Sequence, residues 1–150
     1  MNRTQDASVV NTLATGYVDP KRSALMARVR SKDSKPELVV RKLAHRLGYR
    51  FRLHRRDLPG TPDLVFPRFR KVVFVHGCFW HRHRGCARTT NPKTRTAFWS
   101  NKFKQNVRRD RIKERQLKAL GWDVLVIWEC ETFDDRNVST RLNAFFSDHH

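Results

Sequence analysis

Three cysteines and the imidazoles set among them constrain this chain more than any other feature. Cys78, His83 and Cys86 fall within nine residues, inside the stretch HGCFWHRHRGC, while Cys130 follows the apolar run WDVLVIWE much further along. An odd number of thiols discourages disulfide pairing, so shared metal ligation is the better account of them. Three sulfurs and one imidazole suit a tetrahedral zinc, and a closed four-ligand set implies a structural ion. Such an ion would clamp a loop that has no core of its own against the end of the later strand. His81 also stands at an acceptable ligand spacing from Cys78, so spacing alone leaves either His81 or His83 as the imidazole.

The rest of the chain bounds what surrounds that loop. A length of 150 residues is enough for one compact domain with a real core. Thirty-two Lys and Arg against fourteen Asp and Glu give a formal charge of +18, dense enough to attract a polyanion, and nucleic acid is the expected partner. No run approaches the roughly 20 apolar residues of a spanning helix, and no basic-then-apolar signal opens the chain, so a soluble, intracellular protein is expected.

Residues 1–18 are polar and without sustained period, and are read as a flexible leader, with residues 19–150 as the domain. Asp19 and Pro20 suit a helix start before Leu25, Met26 and Val29. Ser34 precedes a second helix, with Leu38, Val39, Leu43 and Leu47 as its apolar stripe and Gly48 as its stop. YRFRLH, DLVF and KVVFVH read as strands of a meander. A long helix then runs to Gly121, WDVLVIWE belongs in the interior of the sheet, and a last helix spans about residues 136 to 147. The order predicts an α/β domain, a mixed sheet flanked by helices.

A second constellation lies at the turn between DLVF and KVVFVH. Pairing Phe66 with Lys71 places Asp63 opposite Phe74, beside Val75 and His76, bringing a carboxylate, a strand-end carbonyl and an imidazole to one edge. A carboxylate with backbone oxygens and waters is a Mg²⁺ site, and Mg²⁺ clamping a phosphate permits phosphodiester hydrolysis without a covalent intermediate. Histidine titrates near neutral pH, so His76 or His81 can take the proton from water. A turn-capping role competes for Asp63. Glu37 lies in the first turn of the second helix, where it complements the helix dipole. On the long helix the stripe Phe103, Val107, Asp110, Glu114, Leu117 turns an acid inward, and a histidine of the metal loop is its expected mate.

LPGTPDLVF, FVHGCFWHRHRGC, TRTAFWSNK, NVRRDR and LGWDVLVIWEC, in that order, resemble the very short patch repair endonucleases, over about residues 19 to 131. Those are bacterial enzymes that nick DNA at a thymine mispaired with guanine, the lesion left by deamination of 5-methylcytosine. The resemblance implies a restriction-endonuclease-like fold, Mg²⁺ chemistry and one structural zinc. It assigns Mg²⁺ to Asp63 and the carbonyl of Val75, and the activation of water to His81. His76, Glu37 and Asp110 take supporting positions. Cys78, His83, Cys86 and Cys130 take the positions of the zinc ligands. Val75 stands where the family's familiar form has Thr, and the interval from His83 to Cys86 is one residue longer than in that form.

The resemblance also gives the adjacent aromatics a task. Phe79 and Trp80, next to a zinc ligand, and Trp99, at the start of the long helix, are implied to wedge between base steps. Opening a mispaired step costs less than opening a paired one, so the cost of the wedge becomes selectivity. The expectation is a monomeric, cytoplasmic nicking enzyme acting on duplex DNA with a T:G mismatch, linked to a cytosine-5 DNA methyltransferase and to mismatch-repair proteins. Two other readings are a restriction-like enzyme that cuts paired DNA and a non-catalytic zinc module that binds distorted DNA.

Overall fold

The structure, a computed structural model, describes residues 33–147. The leader and the helix expected from Asp19 lie outside the described residues. The chain divides into two compact units, Met1–Lys35 and Pro36–His150, and apart from Lys35 every element below belongs to the second.

Helix α1 spans Lys35–Arg46. Gly48, at φ 89°, ends it, because the left-handed conformation lets the Tyr49 N–H return to the Ala44 carbonyl at 3.0 Å and the Gly48 N–H to that of His45 at 3.0 Å. Of the expected stripe Leu43 is buried and Val39 and Leu47 pack against the core, but the most deeply inward face is a different one. Glu37, Val40, Leu43 and Ala44 face inward, whereas Leu38 is 46% exposed. A carboxylate occupies the inward position because partners wait for it there, which hydrophobic periodicity cannot register.

Strands β1 (Arg52–Leu53), β2 (Leu64–Phe66) and β3 (Lys71–His76) form the antiparallel meander. Phe66 pairs with Lys71, as the turn chemistry predicts. The connection is a 3-10 turn over Pro67–Phe69, with Arg70 in the left-handed region at φ 55°. Helix α2 (Thr96–Ala119) has 24 residues, a length of about 36 Å. It leads to β4 (Asp123–Trp128), which lies parallel to β3 with Lys71 paired to Asp123 and His76 to Trp128. Helix α3 (Asp135–Ser147) follows a short 3-10 segment, Glu129–Phe133.

Among the described residues the strand order is β1-β2-β3-β4, so β4 stands at the edge of that sheet and not in the interior position expected. Its apolar run has another cause: both faces of the sheet are covered. Leu64, Phe66, Val73 and Ile127 pack against Val40, Leu43 and Ala44 of α1 and Val138, Leu142 and Phe146 of α3. On the opposite face Val65, Val72, Phe74 and Val124 pack with Leu58, Leu117 of α2 and Trp122. A strand buried on two faces reads as continuous hydrophobicity wherever it stands in the order. Among the described residues no helix is long and apolar enough to cross a membrane.

Phe66 is fully buried and meets Phe51 and Phe146 edge to face. Phe66→Ala is expected to cost about 3–5 kcal/mol in equilibrium urea unfolding, against less than about 0.5 kcal/mol for Leu38→Ala on the exposed side of α1.

Candidate active site and metal-binding loop

Asp63 immediately precedes β2, and its Oδ2 accepts the Val75 backbone N–H at 2.7 Å. The contact made by Val75 is thus through its amide. On the other side of Asp63 the ladder between β1 and β2 continues for one more residue, with the His54 N–H donating to the Asp63 carbonyl at 3.3 Å. The His54 side chain reaches α1, where its Nε2 lies 2.7 Å from Oε2 of Glu37, and it stands 4.0 Å from Oδ1 of Asp63. Glu37 is only 2% exposed and also pairs with Arg41. A buried carboxylate needs such partners. Glu37 therefore does more than complement a helix dipole.

Two histidines lie beyond Val75. His76 is the last residue of β3 and is buried, and burial, followed by the charge of His81, holds its pKa well below the usual histidine value. It is therefore neutral near pH 7. His81 stacks on it with ring centroids 3.8 Å apart and planes 6° from parallel. Its Nδ1 lies 2.7 Å from Oδ2 of Asp110. A carboxylate there accepts the Nδ1 proton, which leaves Nε2 of a neutral His81 as a lone-pair acceptor.

The other imidazole of the loop goes to the thiols. Nδ1 of His83 lies 3.6 Å from Sγ of Cys78 and 3.5 Å from Sγ of Cys130, and the four candidate ligand atoms, Cys86 included, all fall within 4.8 Å of one another. A tetrahedral zinc with Zn–S bonds of about 2.3 Å and Zn–N bonds of about 2.0 Å keeps sulfur and nitrogen about 3.5 Å apart, so the donor set fits one ion. Without a cation the thiols are ill matched. Burial pushes Cys78 up to about 12 and raises Cys130, whereas a hydrogen bond from the Arg88 backbone lowers Cys86. A cation would favour the thiolate form of all three. Gly85, at φ 69° with open space around it, stands just before Cys86.

The loop lies along α2. Phe79 meets Phe103 edge to face at 5.2 Å, the Trp80 carbonyl accepts from Asn106 at 3.3 Å, and Trp99 is 6.1 Å from Trp80 and 6.3 Å from Phe79. Phe79 and Trp80 are half-buried. Trp99 is 6% exposed, so it stands beneath the pair and not beside it at the surface. Next to this cluster Arg82, Lys104, Arg108, Arg111 and Arg115 line a groove together with Trp99 and Phe103.

The model of the family described as "DNA mismatch endonuclease Vsr" matches residues 15–88. The DNA mismatch endonuclease Vsr of Escherichia coli (strain K12) is 40% identical over 129 residues, 83% of this chain and 82% of that protein. This chain belongs to the Vsr family. Two further relatives carry the name of type II nicking enzymes. V.XorIIP of Xanthomonas oryzae pv. oryzae is 55% identical over 122 residues, 81% of this chain and 89% of the relative. V.NmeAIP of Neisseria meningitidis is 39% identical over 127 residues, 85% of this chain and 90% of the relative.

Apart from the aromatic cluster along α2, the residues singled out from sequence in this Vsr-family chain gather in three places. Asp63, Val75 and Glu37 stand with His54 at the start of β2; His76, His81 and Asp110 meet beyond β3; Cys78, His83, Cys86 and Cys130 form the thiol cluster. His54 is the residue that sequence reasoning passed over. Its signal was available in the register, because extending the Leu53 to Leu64 pair by one step sets His54 opposite Asp63.

Proposed function

We propose that the chain, with residues 19–150 as a restriction-endonuclease-like domain behind a leader of residues 1–18, nicks one strand of duplex DNA beside the T of a T:G mismatch. The observation that carries this reading is the adjacency of two unlike groups at one strand end: Asp63 bonded to Val75, and His76 stacked on the His81–Asp110 pair. The mixed four-stranded sheet with helices on both faces accords with the proposed fold. DNA, attracted by the +18 charge, is the substrate.

Asp63 and the Val75 carbonyl are the proposed holders of Mg²⁺, hard oxygen donors of the kind that ion takes. When bound, Mg²⁺ supplies positive charge against the negative charge that builds on the phosphate in the transition state. His81 is the base: its Nε2 takes a proton from water while Asp110 holds the ring and balances the imidazolium that results. His76, neutral and buried, gives His81 a flat support without a competing charge. Zinc on Cys78, His83, Cys86 and Cys130 would fix the loop that carries both His81 and the wedge. Phe79 and Trp80 form the proposed wedge, and Trp99 serves it by supporting them from below and joins the base step only if it moves outward.

Mispaired T opposite G marks deaminated 5-methylcytosine, which ties the activity to a cytosine-5 DNA methyltransferase, with mismatch-repair proteins as further partners, in the bacterial cytoplasm. The relatives named as nicking enzymes support single-strand cutting over the double-strand cutting of a restriction enzyme. A monomer suffices for one nick.

The deciding experiment is strand cleavage of a labelled duplex carrying one T:G pair, beside its T:A control, with Mg²⁺ or with chelator. A Mg²⁺-dependent nick next to the mispaired T is expected, and Asp63→Ala should reduce its rate at least about 100-fold while sparing binding. Equal cutting of both duplexes, or linearisation of a paired plasmid, would sink the mismatch reading; tight T:G binding with no cut would leave a binding module.

Joint replacement of Phe79 and Trp80 by Ala should lower the ratio of T:G to T:A cleavage rates about tenfold, since stacking on a base is worth about 1–3 kcal/mol. An unaltered ratio would remove the wedge.

For the thiol cluster, elemental analysis of the purified chain should find one zinc per molecule and almost none in Cys130→Ala, whose thermal midpoint falls. Unchanged metal content in the variant would reject the four-ligand set.

A further inference from the structure

His54 occupies a position that charge balance alone does not explain. Arg41 already faces Glu37, so the buried carboxylate has a cation without the imidazole. Yet His54 also donates to Glu37, from the same Nε2 that stands 4.0 Å from Oδ1 of Asp63. That second separation is too long for a hydrogen bond, so the ring is held by Glu37 and stands off from Asp63. The backbone of the same residue bonds to Asp63 through its N–H. One residue thus connects α1, through its side chain, to the strand that carries the proposed metal ligand, through its main chain.

The conformation needed for this is uncommon. His54 has φ 48°, in the left-handed region that side chains other than glycine rarely adopt. Strained residues of this kind persist where surrounding contacts over-determine them, and they cluster at functional sites. Here the left-handed turn directly follows β1 and comes with an imidazole between two carboxylates.

We propose that His54 is a positioning residue for the divalent cation: its Nε2–H sets the place of the Glu37 carboxylate relative to Asp63, and thereby how tightly Mg²⁺ is held. The proposal rests on the reading of Asp63 as the Mg²⁺ site. The imidazole is not itself a ligand, since Mg²⁺ prefers oxygen donors and keeps several waters. A carboxylate fixed at the edge of such a site can receive hydrogen bonds from those waters, and partners of this outer kind typically change metal affinity by about 10- to 100-fold.

The test compares His54→Ala with His54→Gln in the zinc-loaded full chain, with Mn²⁺ as the probe because it accepts the same octahedral oxygen environment. Glutamine carries a side-chain amide N–H that can replace Nε2–H toward Glu37. Binding is read directly, from the free Mn²⁺ electron paramagnetic resonance signal during titration, with Asp63→Ala as the blank. In parallel, the Mg²⁺ concentration for half-maximal nicking of a T:G duplex is measured.

His54→Ala should weaken Mn²⁺ binding at least about tenfold and raise the Mg²⁺ requirement to match, while kcat at saturating Mg²⁺ stays within about threefold of the parent. His54→Gln should remain within about threefold of the parent in both measurements. Parent-like Mn²⁺ affinity in His54→Ala would overturn the proposal, and so would a His54→Gln variant that folds but binds Mn²⁺ as weakly as the alanine form. A parent chain that binds no more Mn²⁺ than Asp63→Ala would overturn the metal reading beneath it, a result distinct from either of those.

Discussion

The parallel pairing of β3 with β4 is the constraint on which the working end of the molecule depends. His76 and Trp128 are the last paired residues of the two strands, and Cys78 and Cys130 each stand two residues beyond them. The register therefore carries two thiols out of the sheet side by side, although many residues separate them along the chain. A slip of one residue would turn every side chain of β4 to the opposite face and part the cysteines. Trp128 also makes the junction solid, since His83 lies flat on its indole at 4.2 Å while His76 meets the ring edge-on at 5.3 Å. The same pair of strand ends thus carries both the thiol cluster and the histidine stack.

Electrostatics divides this end into two unlike centres. The acidic one is built from oxygen, with Glu37 sunk into the protein and balanced by Arg41 and His54, and Asp63 bonded to a backbone amide. The thiol cluster is soft and half enclosed, with Cys78 fully buried and its thiol strongly resistant to ionisation. Donor chemistry alone would sort cations between them, hard ions to the carboxylates and zinc to sulfur and nitrogen. The histidine between the centres that has an acid partner is His81, whose Nδ1 meets Asp110.

Much of this arrangement was legible in the sequence because it follows from short-range rules. The tight turn after Phe66 dictated the β2–β3 register, and with it the meeting of Asp63 and Val75. Helical spacing turned Asp110 inward, where it meets His81. The failures share a cause, which is that pattern records burial and not what a buried group touches. Leu38 looked like core because a stripe of apolar residues was sought, while Glu37 held the inward place through Arg41, one turn on in the same helix, and His54, beyond the helix. β4 looked central because an apolar run cannot distinguish two covered faces from two neighbouring strands. His54 was legible only in the register, one step past the Leu53–Leu64 pair, because no residue type announces the left-handed turn it occupies.

The lie of the loop along α2 joins selectivity to chemistry. Phe79 touches Phe103, Trp80 bonds to Asn106, and His81 bonds to Asp110. Three successive loop residues thus meet helix positions 103, 106 and 110, a spacing of three and then four that keeps all the contacts on one helix face. A helix of 24 residues is a stiff rail, and the thiol cluster anchors the loop at its other edge. The proposed wedge residues and the proposed base therefore occupy consecutive positions on one short segment held from both sides. Any displacement of Phe79 and Trp80 by a base step is transmitted to His81 with little slack, because close-packed groups yield by shifting together and not by compressing. A step that opens easily would let the aromatics enter and leave His81 on Asp110. One that resists would push the segment back and disturb that hydrogen bond, so recognition of the mismatch and alignment of the base are, on this reading, a single mechanical event.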